Sequence, residues 1–163
     1  MNLKVQRIIF AILTIASFVA IFIFSSQNGE ESGSLSREVS KKIIDILQID
    51  KNLSEVEKEN LIENSQIIIR KLAHFTIYTI VGINIFGFIN TFSVKNKLMI
   101  AFVIGCLYAV SDEIHQMFTD DRAASIRDVF IDSCGVLFGI CIFLILVKIV
   151  NYIKIKKYNS VES

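Results

Sequence analysis

Hydrophobic residues in this chain are gathered into four long blocks, and polar and charged residues are collected between the blocks. A helix needs about 20 mainly apolar residues to cross the hydrocarbon core of a bilayer, which is about 30 Å thick. Each block reaches that length without the amphipathic alternation of a soluble helix. The pattern therefore predicts four membrane-spanning helices, over residues 8–26, 72–93, 98–118 and 129–148.

The composition supports an all-α membrane protein with a single domain over residues 1–163. The chain has 163 residues, of which 53% are hydrophobic, and its mean hydropathy is +0.56. A soluble all-helical core is the alternative fold class, but apolar blocks almost free of charge favour the membrane bundle. Cysteines occur only inside the predicted spans, so we expect them to act as small hydrophobic residues without disulfides. They are Cys106, Cys134 and Cys141.

The third block is long enough to span a bilayer only if it includes the polar stretch 111–116. Residues 98–110 are almost wholly apolar but too few to cross on their own. Extending the block to residue 118 places Asp112, Glu113 and His115 at membrane depth. Ionisable groups at that depth are costly and by default mark a functional site.

Lysine and arginine residues indicate the orientation of the spans. Lys4 and Arg7 precede the first span, Lys95 and Lys97 lie between the second and third, and several lysines follow the fourth. Because basic loops stay in the cytoplasm, we expect a multi-pass cell-membrane protein with both termini cytoplasmic. The first block could also be a signal peptide, but it is long and lacks a small-residue cleavage site. We interpret it as a retained span.

The first extracytoplasmic loop, residues 27–71, is predicted to contain two helices. Ser54 and Glu57 fit a capping box that opens the second of them. No proline or glycine follows before the second span, so this helix is expected to continue into it. The first is an amphipathic helix that ends near residue 47 and is expected to lie on the membrane surface. Its apolar stripe is Leu35, Val39, Ile43 and Ile46.

Spans two, three and four each carry polar residues toward the outer end and glycine below them. At 100° per residue each polar set lies on one helical face, with Glu113 at the flank of its set. Small residues let membrane helices approach closely, so Gly82, Gly105, Gly135 and Gly139 are expected to seat the bundle. The faces would then converge on an outward-opening pocket. We expect it to be lined by Lys71, His74, Tyr78, Asp112, Glu113, His115, Gln116, Asp128 and Asp132, with Arg122, Ser125 and Arg127 at its mouth.

Two of these polar segments resemble the VanZ-like family of membrane proteins. They are RKLAHFTIY at 70–78 and SDEIHQMF at 111–118, followed by Arg122 and by DVFIDSCG at 128–135. The first span ends in FSSQ at 24–27, which is also similar to the family. The chain departs from the family at Ile77, where glutamate is common, and at residues 120–121, where Pro-Gly is common. Asp132 stands where the family also has asparagine.

The resemblance implies a bacterial integral membrane protein of the cell envelope. The founding member of the family is associated with resistance to the glycopeptide antibiotic teicoplanin. The resemblance therefore implies a link to glycopeptide susceptibility, and it names no reaction.

The residues themselves leave several functions open. Lys71 and the arginines suit an anionic envelope lipid or peptidoglycan precursor, because these cations pair with phosphate and carboxylate groups. Membrane lipids are the other expected partners, and a net charge of +1 gives no indication of nucleic acid. One alternative is a network of interhelical hydrogen bonds with a structural or partner-binding role. Another is an enzyme acting on a lipid-linked phosphate, with the catalytic candidates His115, Glu113, Asp112 and His74.

A bound divalent metal is a further alternative, because some of the same side chains are metal ligands in other proteins. Their spacing matches no recognised ligand motif, so we expect no metal and no other cofactor. Four spans without an obvious inverted repeat also disfavour a transporter. The residues considered as ligands are His74, His115, Asp112 and Glu113.

Overall fold

The computed structural model describes residues 2–49, 53–120 and 124–159, and these residues form five helices and no strand. Four of the helices, all except the second, are long and apolar enough to cross a membrane. The predicted all-α class with four candidate spans is therefore confirmed. The helices are α1 (Leu3–Ser25), α2 (Gly29–Leu47), α3 (Glu55–Asn90), α4 (Lys97–Gln116) and α5 (Ile126–Asn159).

Most helix ends differ from the predicted span limits by a few residues, but α5 continues to Asn159, well beyond the predicted residue 148. α4 ends at Gln116 rather than residue 118, because the next amides bond to carbonyls three residues back and form turns. α3 ends at Asn90 rather than residue 93 for the same reason, since the Thr91 amide bonds to the Phe88 carbonyl at 3.0 Å. α5 begins at Ile126, before the predicted residue 129. Apolar length alone does not show where the last turn tightens.

α3 confirms the prediction of one unbroken helix from the loop into the second span. Ser54 and Glu57 form the capping box, with the Ser54 amide 2.9 Å from Glu57 Oε2. The helix has 36 residues, so at 1.5 Å per residue it is longer than the thickness of the bilayer core by about 24 Å. Its first turns are therefore free to pair with α2, through the ion pair Arg37–Glu59.

α2 is the predicted amphipathic helix, and it ends at Leu47. It packs on the rest of the chain through a face different from its apolar stripe. The buried residues are Ser36, Ser40 and Ile44, and the two serines allow close approach to α3. The stripe is 37–78% exposed, so it is available to lie against a membrane. It consists of Leu35, Val39, Ile43 and Ile46.

The closest helix packing is between α3 and α5. An ideal Cβ at Gly135 would lie 2.6 Å from the Phe75 carbonyl oxygen, and one at Gly139 would overlap the Thr79 carbonyl. Only glycine lets the backbone of α5 come this close to the backbone of α3, because any side chain at these positions would clash with it. The expectation that glycines seat the bundle is confirmed, since all four lie at contacts of α5 with α3 or α4. They are Gly82, Gly105, Gly135 and Gly139.

Polar contacts inside the bundle add to this packing. The Asn84 amide of α3 donates to Ser17 Oγ of α1 at 2.8 Å. The Tyr108 hydroxyl of α4 donates to the Phe18 carbonyl of α1 at 2.7 Å. At the far end, Arg7 donates to a carbonyl in the turn after α3. The three cysteines are free, as expected.

Candidate functional site

Polar residues of three spans meet at the end of the bundle where α1 and α4 end and α5 begins. His74 of α3, Asp112 of α4 and Asp132 of α5 each offer one nitrogen or oxygen, and these atoms lie within 4.8 Å of one another. His74 Nδ1 is 3.5 Å from Asp132 Oδ1. We call these three residues the His-Asp-Asp cluster. The approach of α3 to α5 at the glycines below brings the cluster together.

Two neighbouring side chains hold Asp112 in position. The Tyr78 hydroxyl and the Gln116 amide both donate to Asp112 Oδ2, each at 3.2 Å. Tyr78 is fully buried and Asp112 is 4% exposed. Both bonds are made to the same oxygen, so no described residue donates to Asp112 Oδ1. The carboxylate is thus oriented while one of its oxygens stays free.

Asp132 lacks the partners that a buried carboxylate needs. It is fully buried, and neither of its oxygens has a hydrogen bond among the described residues. His74 Nδ1 is the nearest charged partner, but 3.5 Å is longer than an ordinary hydrogen bond. Burial of a charge without such partners is costly. The His-Asp-Asp cluster therefore holds two carboxylates against a single imidazole.

A cavity of about 310 Å³ adjoins the cluster, between α1, α2 and α3. Its wall is mainly apolar, with Leu35 and Val39 of α2 among the lining residues. The ionisable side chains in the wall are Arg70, His74, Tyr78 and Asp112. Such a cavity combines a place for a hydrocarbon chain with a few polar groups that fix orientation.

Glu113 lies in a separate group that joins α4 to the start of α5. It is 3% exposed, and its Oε2 accepts the Ser125 amide at 2.8 Å. Ser125 Oγ in turn accepts the Asp128 amide at 3.4 Å, which caps the first turn of α5. None of these three residues lines the cavity. Their contacts hold the connection between the two helices.

His115 faces α1 rather than the His-Asp-Asp cluster. Its ring stacks on Phe22 with centroids 4.5 Å apart, and its Nε2 is 3.1 Å from Ser26 Oγ. The two histidines therefore occupy different surroundings at the same end of the bundle.

The structure describes two of the three predicted cations, Lys71 and Arg127, and neither is paired with the cluster. Lys71 is half-buried, Arg127 is exposed, and neither forms an ion pair with a described residue. Arg122 lies outside the described residues. Arg70 was not among the predicted site residues, and it is the basic residue in the cavity wall. It directly precedes Lys71 in segment 70–78, which resembles the VanZ-like family, and this was the available signal.

The comparisons with known proteins identify a family. A family model described as VanZ/LLP1 matches residues 10–147, which is most of the chain and includes every site residue discussed above. Searches of curated proteins and of solved structures found no match. With four helices of membrane-spanning length, the arrangement of His74, Asp112 and Asp132 belongs to a multi-pass membrane protein. This chain is a member of the VanZ/LLP1 family.

Proposed function

We propose that this protein binds an anionic lipid of the cell envelope, or a lipid-linked peptidoglycan precursor, in the cavity between α1, α2 and α3. The observation that carries the proposal is an apolar cavity with one arginine in its wall. Arg70 forms no ion pair with any described residue, so its charge is available to a ligand. A phosphate or carboxylate is the group that a guanidinium binds best.

The size of the cavity limits how much of a lipid it holds. Its volume of about 310 Å³ is at the lower end of small-molecule sites. That volume accommodates a headgroup and the first part of a chain, and the rest of the chain would lie in the bilayer beside the exposed stripe of α2. Leu35 and Val39 belong both to this stripe and to the cavity wall.

The proposed orientation places the cavity on the extracytoplasmic side of the cell membrane, with both termini cytoplasmic. Its support is the basic character of the opposite end of the bundle, where Lys4, Lys95 and Lys154 lie, under the rule that basic segments stay inside. The resemblance to VanZ-like proteins adds an expected link to teicoplanin susceptibility.

Lipid binding by an arginine variant tests the proposal. Full-length protein in detergent is titrated with phosphatidylglycerol, with a short-chain polyprenyl phosphate, and with uncharged diacylglycerol, and binding is followed by native mass spectrometry. We expect both anionic lipids to bind more tightly than diacylglycerol. Loss of one charge-assisted contact, about 1.5–3 kcal/mol, should weaken anionic binding about 10- to 150-fold in Arg70→Gln.

The matched control is Arg127→Gln, which removes an exposed arginine that does not line the cavity. It should bind like the wild type. Tighter binding of polyprenyl phosphate than of phosphatidylglycerol would indicate that the ligand is a lipid-linked precursor. Tighter binding of phosphatidylglycerol would indicate a bulk membrane lipid. A folded Arg70→Gln protein with unchanged lipid binding would refute the proposal and favour a structural or partner-binding role.

A second candidate is a membrane-embedded enzyme that acts on a lipid-linked phosphate. The observation that favours it is the imidazole of His74 in the cavity wall, with Asp132 Oδ1 3.5 Å from its Nδ1. In such a pair the histidine acts as general acid or base and the carboxylate orients its ring. Release of phosphate from a polyprenyl diphosphate should then occur in the wild type and in His115→Gln, but not in His74→Gln. Binding without turnover by the wild type would exclude this candidate for that substrate.

A further inference from the structure

We propose that the His-Asp-Asp cluster binds a divalent transition-metal cation of the Zn²⁺ or Mn²⁺ type at the wall of the cavity. His74, Asp112 and Asp132 come from three different helices, and one donor atom of each lies within 4.8 Å of the others. One imidazole nitrogen with two carboxylate oxygens is a ligand set that suits these ions. Mg²⁺ and Ca²⁺ prefer sites made of oxygen alone.

The spacing of two of the donors already fits a shared ion. Ligands about 2.1 Å from one tetrahedral ion lie about 3.4 Å apart. His74 Nδ1 and Asp132 Oδ1 are 3.5 Å apart, and no hydrogen joins them in an ordinary hydrogen bond. Asp112 completes the set with a small side-chain movement, since its donor atom lies within 4.8 Å of the other two.

A separate observation is that the donor atoms of His74 and Asp132 have no hydrogen-bond partner among the described residues. Asp132 is fully buried, and neither of its oxygens has a hydrogen bond among the described residues. The buried Nδ1 of His74 also has none. An ion pair between His74 and Asp132 would leave the charge of Asp112 uncompensated, whereas one divalent cation compensates both carboxylates and also gives His74 Nδ1 and Asp132 a partner.

The surroundings of Asp112 resemble the outer part of a metal site. Tyr78 and Gln116 donate to Oδ2 and so fix the carboxylate while leaving Oδ1 for an ion. Hydrogen bonds of this kind orient ligands and raise metal affinity. His74 and Asp112 line the cavity, so an ion has a path of entry from it. Its open coordination position would face the cavity, where a lipid phosphate could bind, and this last step rests on the proposed function.

Titration with metal alone tests the site independently of any lipid. Full-length protein is purified in detergent, stripped with chelator and titrated with Mn²⁺ under electron paramagnetic resonance, with Zn²⁺ added as competitor. We expect one saturable Mn²⁺ equivalent that Zn²⁺ displaces. His74→Gln and Asp132→Asn should each lower the affinity at least tenfold. His115→Gln is the matched control, because it removes the other histidine, which stacks on Phe22, and should leave the affinity unchanged.

Folding of each protein is checked by circular dichroism and gel filtration. If a cluster variant fails to fold, the proposal is tested on the wild type alone. A bound metal should raise the melting temperature of the wild-type protein, and chelator should reverse the increase. Absence of saturable Mn²⁺ and Zn²⁺ binding to folded wild-type protein would overturn the proposal. Equal loss of affinity in His115→Gln would also overturn it, since the ion would then bind elsewhere.

Discussion

Replacing Gly139 with alanine should push α3 and α5 apart, because their backbones leave no room for a side chain at this point. A Cβ there would overlap the Thr79 carbonyl and lie 3.0 Å from the Ile83 nitrogen. Both neighbours are backbone atoms, so no change of rotamer can make room. Gly139 lies two helical turns beyond Asp132. Separation of the helices should therefore also move Asp132 away from His74.

The expected loss of stability follows from two opposing effects. Overpacking with a backbone shift costs about 1–3 kcal/mol. Alanine returns at most about 1 kcal/mol through its higher helix propensity. The net free energy of unfolding should fall by up to about 2 kcal/mol, which for a chain of this size lowers the melting temperature by up to about 8 °C.

The assay is thermal unfolding of the full-length protein in detergent, followed by circular dichroism. Gly33→Ala on α2 is the matched control, because a Cβ there would meet only Arg70 Nη2 at 3.9 Å, an ordinary contact. It gains the same helix propensity without a clash and should melt at or above the wild-type temperature. Mn²⁺ affinity should fall in Gly139→Ala and remain in Gly33→Ala.

Equal melting temperatures for the two glycine variants would refute this reasoning. The close contact of α3 and α5 would then accommodate a methyl group at residue 139 without loss of stability. A Gly139→Ala protein that is destabilised but keeps full Mn²⁺ affinity would separate the helix packing from the geometry of the His-Asp-Asp cluster.

Three further predictions concern other parts of the molecule. In a cysteine-free background, Thr119→Cys should react with an impermeant reagent added outside the cell and Asn96→Cys should not; the opposite result would invert the proposed topology. A double-mutant cycle of Asn84→Leu with Ser17→Ala should give a coupling of about 0.6 kcal/mol for their 2.8 Å hydrogen bond, and zero coupling would mean the bond contributes nothing. Ser54→Ala should speed amide exchange in the first turn of α3 only, whereas faster exchange along the whole helix would contradict a local capping role.

The number and type of helices could be predicted from the sequence because each depends on local properties. Apolar length decides whether a helix can cross a bilayer, and the four candidate spans follow from it. The capping box at Ser54 involves residues three apart, so it too is visible in the chain. The glycine stripes were informative for a related reason, since a position without a side chain is where two backbones can meet.

The partners of the polar residues could not be predicted in this way. Asp112, Glu113 and His115 lie within one helical turn, and the sequence assigned them to a single pocket. In the structure, Asp112 bonds to Tyr78 of α3, Glu113 bonds to the Ser125 amide just before α5, and His115 stacks on Phe22 of α1. Successive residues of a helix point about 100° apart, and Asp112 and His115 differ by about 60°, so each side chain contacts the neighbour that packs on its own side.

Only the tertiary structure decided which polar residues share a site. The sequence by itself determined four spans, an amphipathic loop helix and polar groups at one end of the bundle, because hydrophobic length and helical period are properties of consecutive residues. The pairing of His74 with Asp132, and the placing of Arg70 rather than Lys71 in the cavity wall, depend on rotation and spacing of separate helices. The rotation and spacing of these helices are set by the glycine contacts between α3 and α5. At these contacts two segments far apart in the sequence pack so closely that there is no room for a side chain.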